Sequence, residues 1–206
     1  ELIVGAPRSN INGVEDAGAI YVFGLGPLED APLRITAPTP ELAWFGAEVR
    51  VADLDLDGRM DLAVGEPFIQ DGTEDAGRVT LIYDFLGLAQ TPQFVALPNP
   101  APAENGKFGF HLALDDGNGD GFPELFVTAV GNTDSNGVEL SGQAFGYWGP
   151  PQADGWFVLD DPLSKPEDFP RFGMFIDAKE GQVLVGAPRK DVESGPEPAA
   201  FCADTT

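Results

Sequence analysis

The chain has 206 residues, with 34 Asp and Glu against 11 Lys and Arg and a formal net charge of −23. So few cations exclude a binder of nucleic acid, which must neutralise phosphates, and a protein that docks on an anionic membrane surface. A hydrophobic content of 43% with 10% aromatics is globular rather than disordered, and 26 glycines and 19 prolines suit short strands and turns rather than helices.

In chain order, the first predicted strands are Leu2–Pro7, Ala19–Phe23 and Leu33–Thr36. Phe45-Gly46 then opens an apolar stretch and an acidic loop, followed by strands Leu62–Pro67, Arg78–Tyr83 and Gln93–Leu97. Phe108-Gly109 opens the same series again, with Leu125–Ala129, Gln143–Trp148 and Trp156–Leu159. Phe172-Gly173 opens a last one, continued by Val183–Pro188 and a degraded Ala199–Cys202. The Phe-Gly pairs are 63 and 64 residues apart, and the strands number about 14. Four short strands per unit of about 60 residues, with no amphipathic helix between them, indicate a β-propeller. A unit that small cannot bury both faces of its own sheet, so blades must stack around an axis. A two-sheet sandwich, the rival arrangement, leaves the repeat unexplained.

Two loops carry the chemistry. The first is Asp53-Leu54-Asp55-Leu56-Asp57-Gly58-Arg59-Met60-Asp61, and its counterpart is Asp116-Gly117-Asn118-Gly119-Asp120-Gly121-Phe122-Pro123-Glu124. Oxygen side chains at positions 1, 3 and 5, a glycine at 6, a carbonyl at 7 and a carboxylate at 9 suit Ca²⁺, which takes six to eight oxygen ligands. Zinc would want His or Cys, and the single histidine, His111, is in neither loop. An EF-hand would need Glu at position 12, where the chain has Val64 and Val127. The alternative for both loops is a solvated acidic turn. The fourth unit has only Asp177-Ala178-Lys179-Glu180-Gly181 at this place, which predicts a tight hairpin without metal.

Phe-Gly, an Asp-rich loop and then Gly-Ala-Pro (Gly5-Ala6-Pro7 and Gly186-Ala187-Pro188, with Gly65-Glu66-Pro67 as a variant) resemble the FG-GAP repeat of integrin α-subunit propellers. The resemblance covers nearly the whole chain. It implies an all-β propeller of four-stranded blades, about three and a half of them present: a partial blade at 1–41, blades at 42–104 and 105–168, and a partial blade at 169–206. Such a set leaves open edges, so the chain is expected to be a piece of a longer one or to pair with another chain. The resemblance further implies two Ca²⁺ sites. Asp53, Asp55, Asp57 and Asp61 with the Arg59 carbonyl would form one; Asp116, Asn118, Asp120 and Glu124 with the Phe122 carbonyl would form the other, which departs from the all-Asp pattern and is expected to bind more weakly.

The expected function is an extracellular or cell-surface, calcium-stabilised binding or adhesion module that presents propeller loops to a protein or glycan partner. Candidate binding loops lie at 8–17, 68–76, 131–141 and 189–198, two of them sharing an echo at 13–18 and 72–77. Trp44 is the aromatic expected either to contact a ligand or to pack between blades. No nucleophile elbow or His/Cys cluster points to an enzyme, and His111 falls where Glu48 and Phe175 fall in neighbouring units, a strand position. A scaffold domain of a larger secreted hydrolase or lyase, or a structural subunit in which chains complete each other's rings, are the alternatives. Cys202 is alone and so forms no internal disulfide.

Overall fold

A computed structural model describes residues 1–24, 31–87, 92–134, 137–161 and 171–188, together with the backbone of 200–204. The candidate loop at 189–198 and the side chain of Cys202 lie outside the described residues. The described residues form no helix and fourteen strands: β1 (Leu2–Ala6), β2 (Ala19–Phe23), β3 (Leu33–Ile35), β4 (Val49–Ala52), β5 (Asp61–Glu66), β6 (Arg78–Tyr83), β7 (Gln93–Pro98), β8 (Phe108–Asp115), β9 (Glu124–Ala129), β10 (Gln143–Tyr147), β11 (Trp156–Leu159), β12 (Phe175–Lys179), β13 (Gln182–Gly186) and β14 (Ala200–Asp204).

They pair as antiparallel meanders: β1-β2-β3, β4-β5-β6-β7, β8-β9-β10-β11 and β12-β13-β14. Each sheet is one blade, and the blades form part of a propeller that does not close into a ring. The predicted strands agree with these elements to within a residue or two. The prolines that end Gly-Ala-Pro fall just outside the strands, because Pro has no N–H to give the ladder.

Three cores lie between blades, not within them. Ile20 and Val22 of the first blade meet Phe45, Leu62, Val64 and Ile82 of the second. Val79 and Leu81 then meet Phe108, Leu112, Val127 and Phe145 of the third, and Phe126 and Ala144 meet Phe172, Val183 and Val185 of the fourth. The phenylalanines of the three Phe-Gly pairs are thus the recurring plugs, each at most 1% exposed. Burying such a ring is worth roughly 1.5–3 kcal/mol.

Hydrogen bonds make the same junction. Phe45 N donates to Ala17 O at 3.1 Å, Phe108 N to Ala76 O at 3.0 Å and Phe172 N to Ser141 O at 2.7 Å. The glycine after each acceptor, Gly18, Gly77 or Gly142, has a φ of +79° to +87°, and a Cβ there would collide with the phenylalanine's carbonyl. Only glycine permits that approach. The echo at 13–18 and 72–77 has its explanation here: Asp16 O also accepts from Trp44 N at 3.1 Å, and Asp75 O from Lys107 N at 2.8 Å. The echoed segments clasp the next blade.

The second copy of Gly-Ala-Pro carries Glu66 in place of alanine, and that side chain is fully buried. Arg78 Nη2 donates to Glu66 Oε2 at 2.9 Å and Thr80 Oγ1 donates to Glu66 Oε1. With both partners supplied by β6, the buried carboxylate is compensated.

Candidate metal centre

Both acidic loops connect the first strand of a four-stranded blade to the second, β4 to β5 and β8 to β9. In the first, carboxylate oxygens of Asp53, Asp55 and Asp61 all lie within 4.8 Å of one another. The loop backbone is wound around these groups. Asp53 accepts from Asp57 N at 3.0 Å and Gly58 N at 2.8 Å, and Asp55 Oδ1 accepts from Asp57 N at 3.2 Å. Asp57 stands apart from the trio, holding Arg59 Nη1 at 2.5 Å.

Asp61 opens β5 and is 1% exposed, accepting from Leu54 N and from Asp84 N, each at 2.8 Å. Burial raises its carboxyl above the ordinary range, and the charges of Asp55 and Asp53 add to the rise against the two backbone donors. The Tyr83 phenol is raised by burial and then by the charges of Asp61 and Asp55. Like charges this close repel by roughly 1–4 kcal/mol a pair. Three convergent carboxylates without nitrogen or sulfur donors suit a hard divalent cation, so the residues present fit one.

The second loop repeats the winding. Asp116 accepts from Gly119 N at 2.9 Å and Gly121 N at 3.1 Å, and Asp120 Oδ1 accepts from Phe122 N at 2.8 Å. Glu124 is 1% exposed, accepts from Gly117 N at 2.9 Å, and is raised by burial and then by Asp120 and Asp116. Its side chains converge differently. Asn118 Nδ2 donates to Asp120 Oδ2 at 3.1 Å and Glu124 Oε1 at 3.0 Å, so an amide stands between the two carboxylates. Among the described residues only the first loop gathers three acidic groups so tightly.

In the fourth blade, β12 and β13 pair from Lys179↔Gln182 onward, leaving the two-residue turn Glu180-Gly181 at φ +54° and +76°. This is the predicted tight hairpin.

Trp44 is half-buried at φ +57°, its ring 4.3 Å from Phe68 of its own blade, with the Arg8 guanidinium of the first blade 5.6 Å from the ring centre. His111 is in β8: its Nδ1 lies 3.4 Å from Glu48 Oε2, and its ring stacks at 5.7 Å on Phe175. The three equivalent positions, one in each of three successive blades, therefore touch in sequence, with Glu48 standing just before its strand. Asp84, which no motif marked, is the residue the sequence reading missed. It is 3% exposed, braces Asp61 through its backbone N–H and sits 3.9 Å from Arg59 Nε. Its only local signal is its place one residue after β6.

Residues 45–82, which contain the first loop, match the FG-GAP repeat. The chain thus carries an FG-GAP repeat. It is 34% identical over 143 residues to integrin alpha-PS5 of Drosophila melanogaster and 29% identical over 150 residues to integrin alpha-5 of Xenopus laevis, in each case over 64% of this chain and 13% of the relative. It is also 31% identical over 157 residues to the phosphatidylinositol-glycan-specific phospholipase D of Mus musculus, over 73% of this chain and 17% of that enzyme. The chain thus spans 13–17% of the length of these relatives. No helix among the described residues is long and apolar enough to cross a membrane.

Proposed function

We propose that this FG-GAP segment is an extracellular or cell-surface binding module, stabilised by Ca²⁺ at two loops, that presents its inter-blade surface to a protein or glycan partner. The observation that carries the cation part is the convergence of Asp53, Asp55 and Asp61 within 4.8 Å at the mouth of β5. Asp57 and the Arg59 carbonyl would complete that site. Asp116, Asn118, Asp120, Glu124 and the Phe122 carbonyl would form the second, weaker one, with the Asn118 amide turned over to offer its oxygen. The cation's contribution is to offset carboxylate repulsion and so hold the loops rigid.

The similarity to integrin alpha chains supports adhesion as the use of the module, with further blades from the parent chain or another chain completing the ring. On the opposite side from the cation loops, Arg8, Trp44 and the echoed loops would face the partner. The similarity to the phospholipase supports a second reading, a blade segment within a larger secreted enzyme. A catalytic region elsewhere in that chain would favour it.

A thermal melt with Ca²⁺ and with chelator, on the wild type and on Asp55→Ala, tests the cation reading. Ca²⁺ is expected to raise the melting temperature of the wild type by several degrees and that of Asp55→Ala by clearly less. An unchanged wild-type melt on chelation would sink the reading.

A further inference from the structure

Position 7 of the two acidic loops carries different chemistry, Arg59 in the first and Phe122 in the second. The local turn is the same in both. The carboxylate at position 5 accepts from the backbone N–H two residues on, Asp57 Oδ1 from Arg59 N at 2.9 Å and Asp120 Oδ1 from Phe122 N at 2.8 Å. The other oxygen of each meets a different partner. Asp120 Oδ2 accepts from the neutral Asn118 amide at 3.1 Å, whereas Asp57 Oδ2 holds the Arg59 guanidinium, with Nη1 at 2.5 Å.

Arg59 is held from its other side as well. Its Nε lies 3.9 Å from Asp84 Oδ2, a carboxylate with 3% of its side chain exposed. The backbone N–H of Asp84 donates to Asp61 Oδ1 at 2.8 Å, so the residue that faces the guanidinium also braces the buried member of the convergent trio. Both oxygens of Asp57 are engaged by residue 59, and Asp57 is the one of the four aspartates outside the trio of Asp53, Asp55 and Asp61. With 36% of its side chain exposed, Arg59 has solvent to withdraw into.

We infer that Arg59 sets the affinity of the first loop by competing with the cation for Asp57. The inference rests on the cation reading above. A guanidinium and a divalent cation that share one carboxylate repel each other and divide its charge, so each weakens the other's hold. Oxygen sites for Ca²⁺ are tuned by the number of charged ligands they present. With Arg59 on Asp57, the loop offers three unshared carboxylates in place of four. The Arg59 carbonyl, the backbone ligand expected at position 7, is kept whatever the side chain. Phe122, uncharged, cannot compete in this way in the second loop.

The test is a Ca²⁺ titration of the 206-residue chain by two-dimensional NMR, reading the Gly58 amide for the loop and the Nε–H of Arg59 for the guanidinium. In the wild type both signals are expected to move with one midpoint, as the guanidinium yields Asp57. Arg59→Gln removes the charge and is expected to lower the Gly58 midpoint about fivefold, the upper end of what an exposed ion pair supplies. Asp57→Asn keeps an oxygen to accept the residue-59 N–H. In that background, Arg59→Gln is expected to shift the midpoint by less than about twofold, because the carboxylate it competes for is gone.

A Gly58 midpoint in Arg59→Gln equal to the wild-type value would overturn the inference. A higher one would overturn it too, and would make Arg59 a group that positions Asp57 for the cation. Equal gains with and without the Asp57 carboxylate would reduce Arg59 to one nearby charge, and an Arg59 Nε–H that stays still while Gly58 titrates would show that the guanidinium yields nothing; either result overturns the competition. All four leave the cation reading standing. If Gly58 does not respond to Ca²⁺ in the wild type, the cation reading falls and the inference with it.

Discussion

Tyr147 has no exposed surface, and its hydroxyl, among the described residues, has no hydrogen-bond partner. Its ring packs edge-on against Phe108 at 6.3 Å in the core between the second and third blades, and burial pushes the phenol's pKa up. An orphaned buried hydroxyl costs about 1–3 kcal/mol, whereas the ring is well packed. Tyr147→Phe is therefore expected to stabilise the chain by about 1 kcal/mol, read as a higher denaturant midpoint at unchanged slope. A loss of stability would mean that the hydroxyl has a partner.

Glu48, just before β4, faces Arg50 on that strand and His111 on the next blade. Burial alone would raise its carboxyl, but the His111 hydrogen bond and the Arg50 charge outweigh burial and hold it below the ordinary range. A depressed folded-state value contributes stability that is present above the unfolded carboxylate range and is lost as pH falls through the folded one. Glu48→Gln should thus melt below the wild type at neutral pH, with the gap closing under about pH 4. Both are measured in chelator, so that cation release does not enter. A gap that stays constant with pH would assign Glu48 a packing role only.

At the scale of elements, the turn between β12 and β13 places Glu180 at φ +54° and Gly181 at φ +76°. A two-residue hairpin with both central φ positive favours Asn-Gly, and glutamate is a poor choice for the first place. The exposed Lys179–Glu180 pair at 3.6 Å offsets little of that. Glu180→Asn is expected to gain about 0.5–1 kcal/mol in a thermal or denaturant melt. An unchanged or lower stability would show that the turn does not have this geometry in solution.

Over the whole molecule, the first and fourth blades bury fewer of their faces than the two between them. Leu2 is 54% exposed and Val4 41% on β1, whose inner edge is unpaired among the described residues; Phe175 is 63% and Leu184 46% exposed on the fourth blade. An open strand edge and exposed apolar side chains favour association, while a net charge of −23 opposes it. Burial at such edges outlasts charge repulsion once salt screens the latter. The 206-residue chain alone is therefore expected to show a solution mass that grows across a concentration series at physiological salt and less so at low salt. A constant monomer mass in both would show that these surfaces need no cover.

Much of this was legible in the residues themselves. The blade period follows from the Phe-Gly recurrence, the strands from short apolar runs between glycine- and proline-rich turns, and the two acidic loops from alternating oxygen side chains, because each is encoded within about ten neighbouring residues. The short turn of the fourth blade was legible for the same reason. Contacts between blades were not. That His111 would lie between Glu48 and Phe175, and that the Gly181 N–H would reach Asp115, follow from no local propensity. The sequence by itself determined what each blade is made of and where its charges cluster. Only the tertiary structure decided which blade residues meet, because partners some sixty positions apart are brought together by the stacking of sheet faces around the axis.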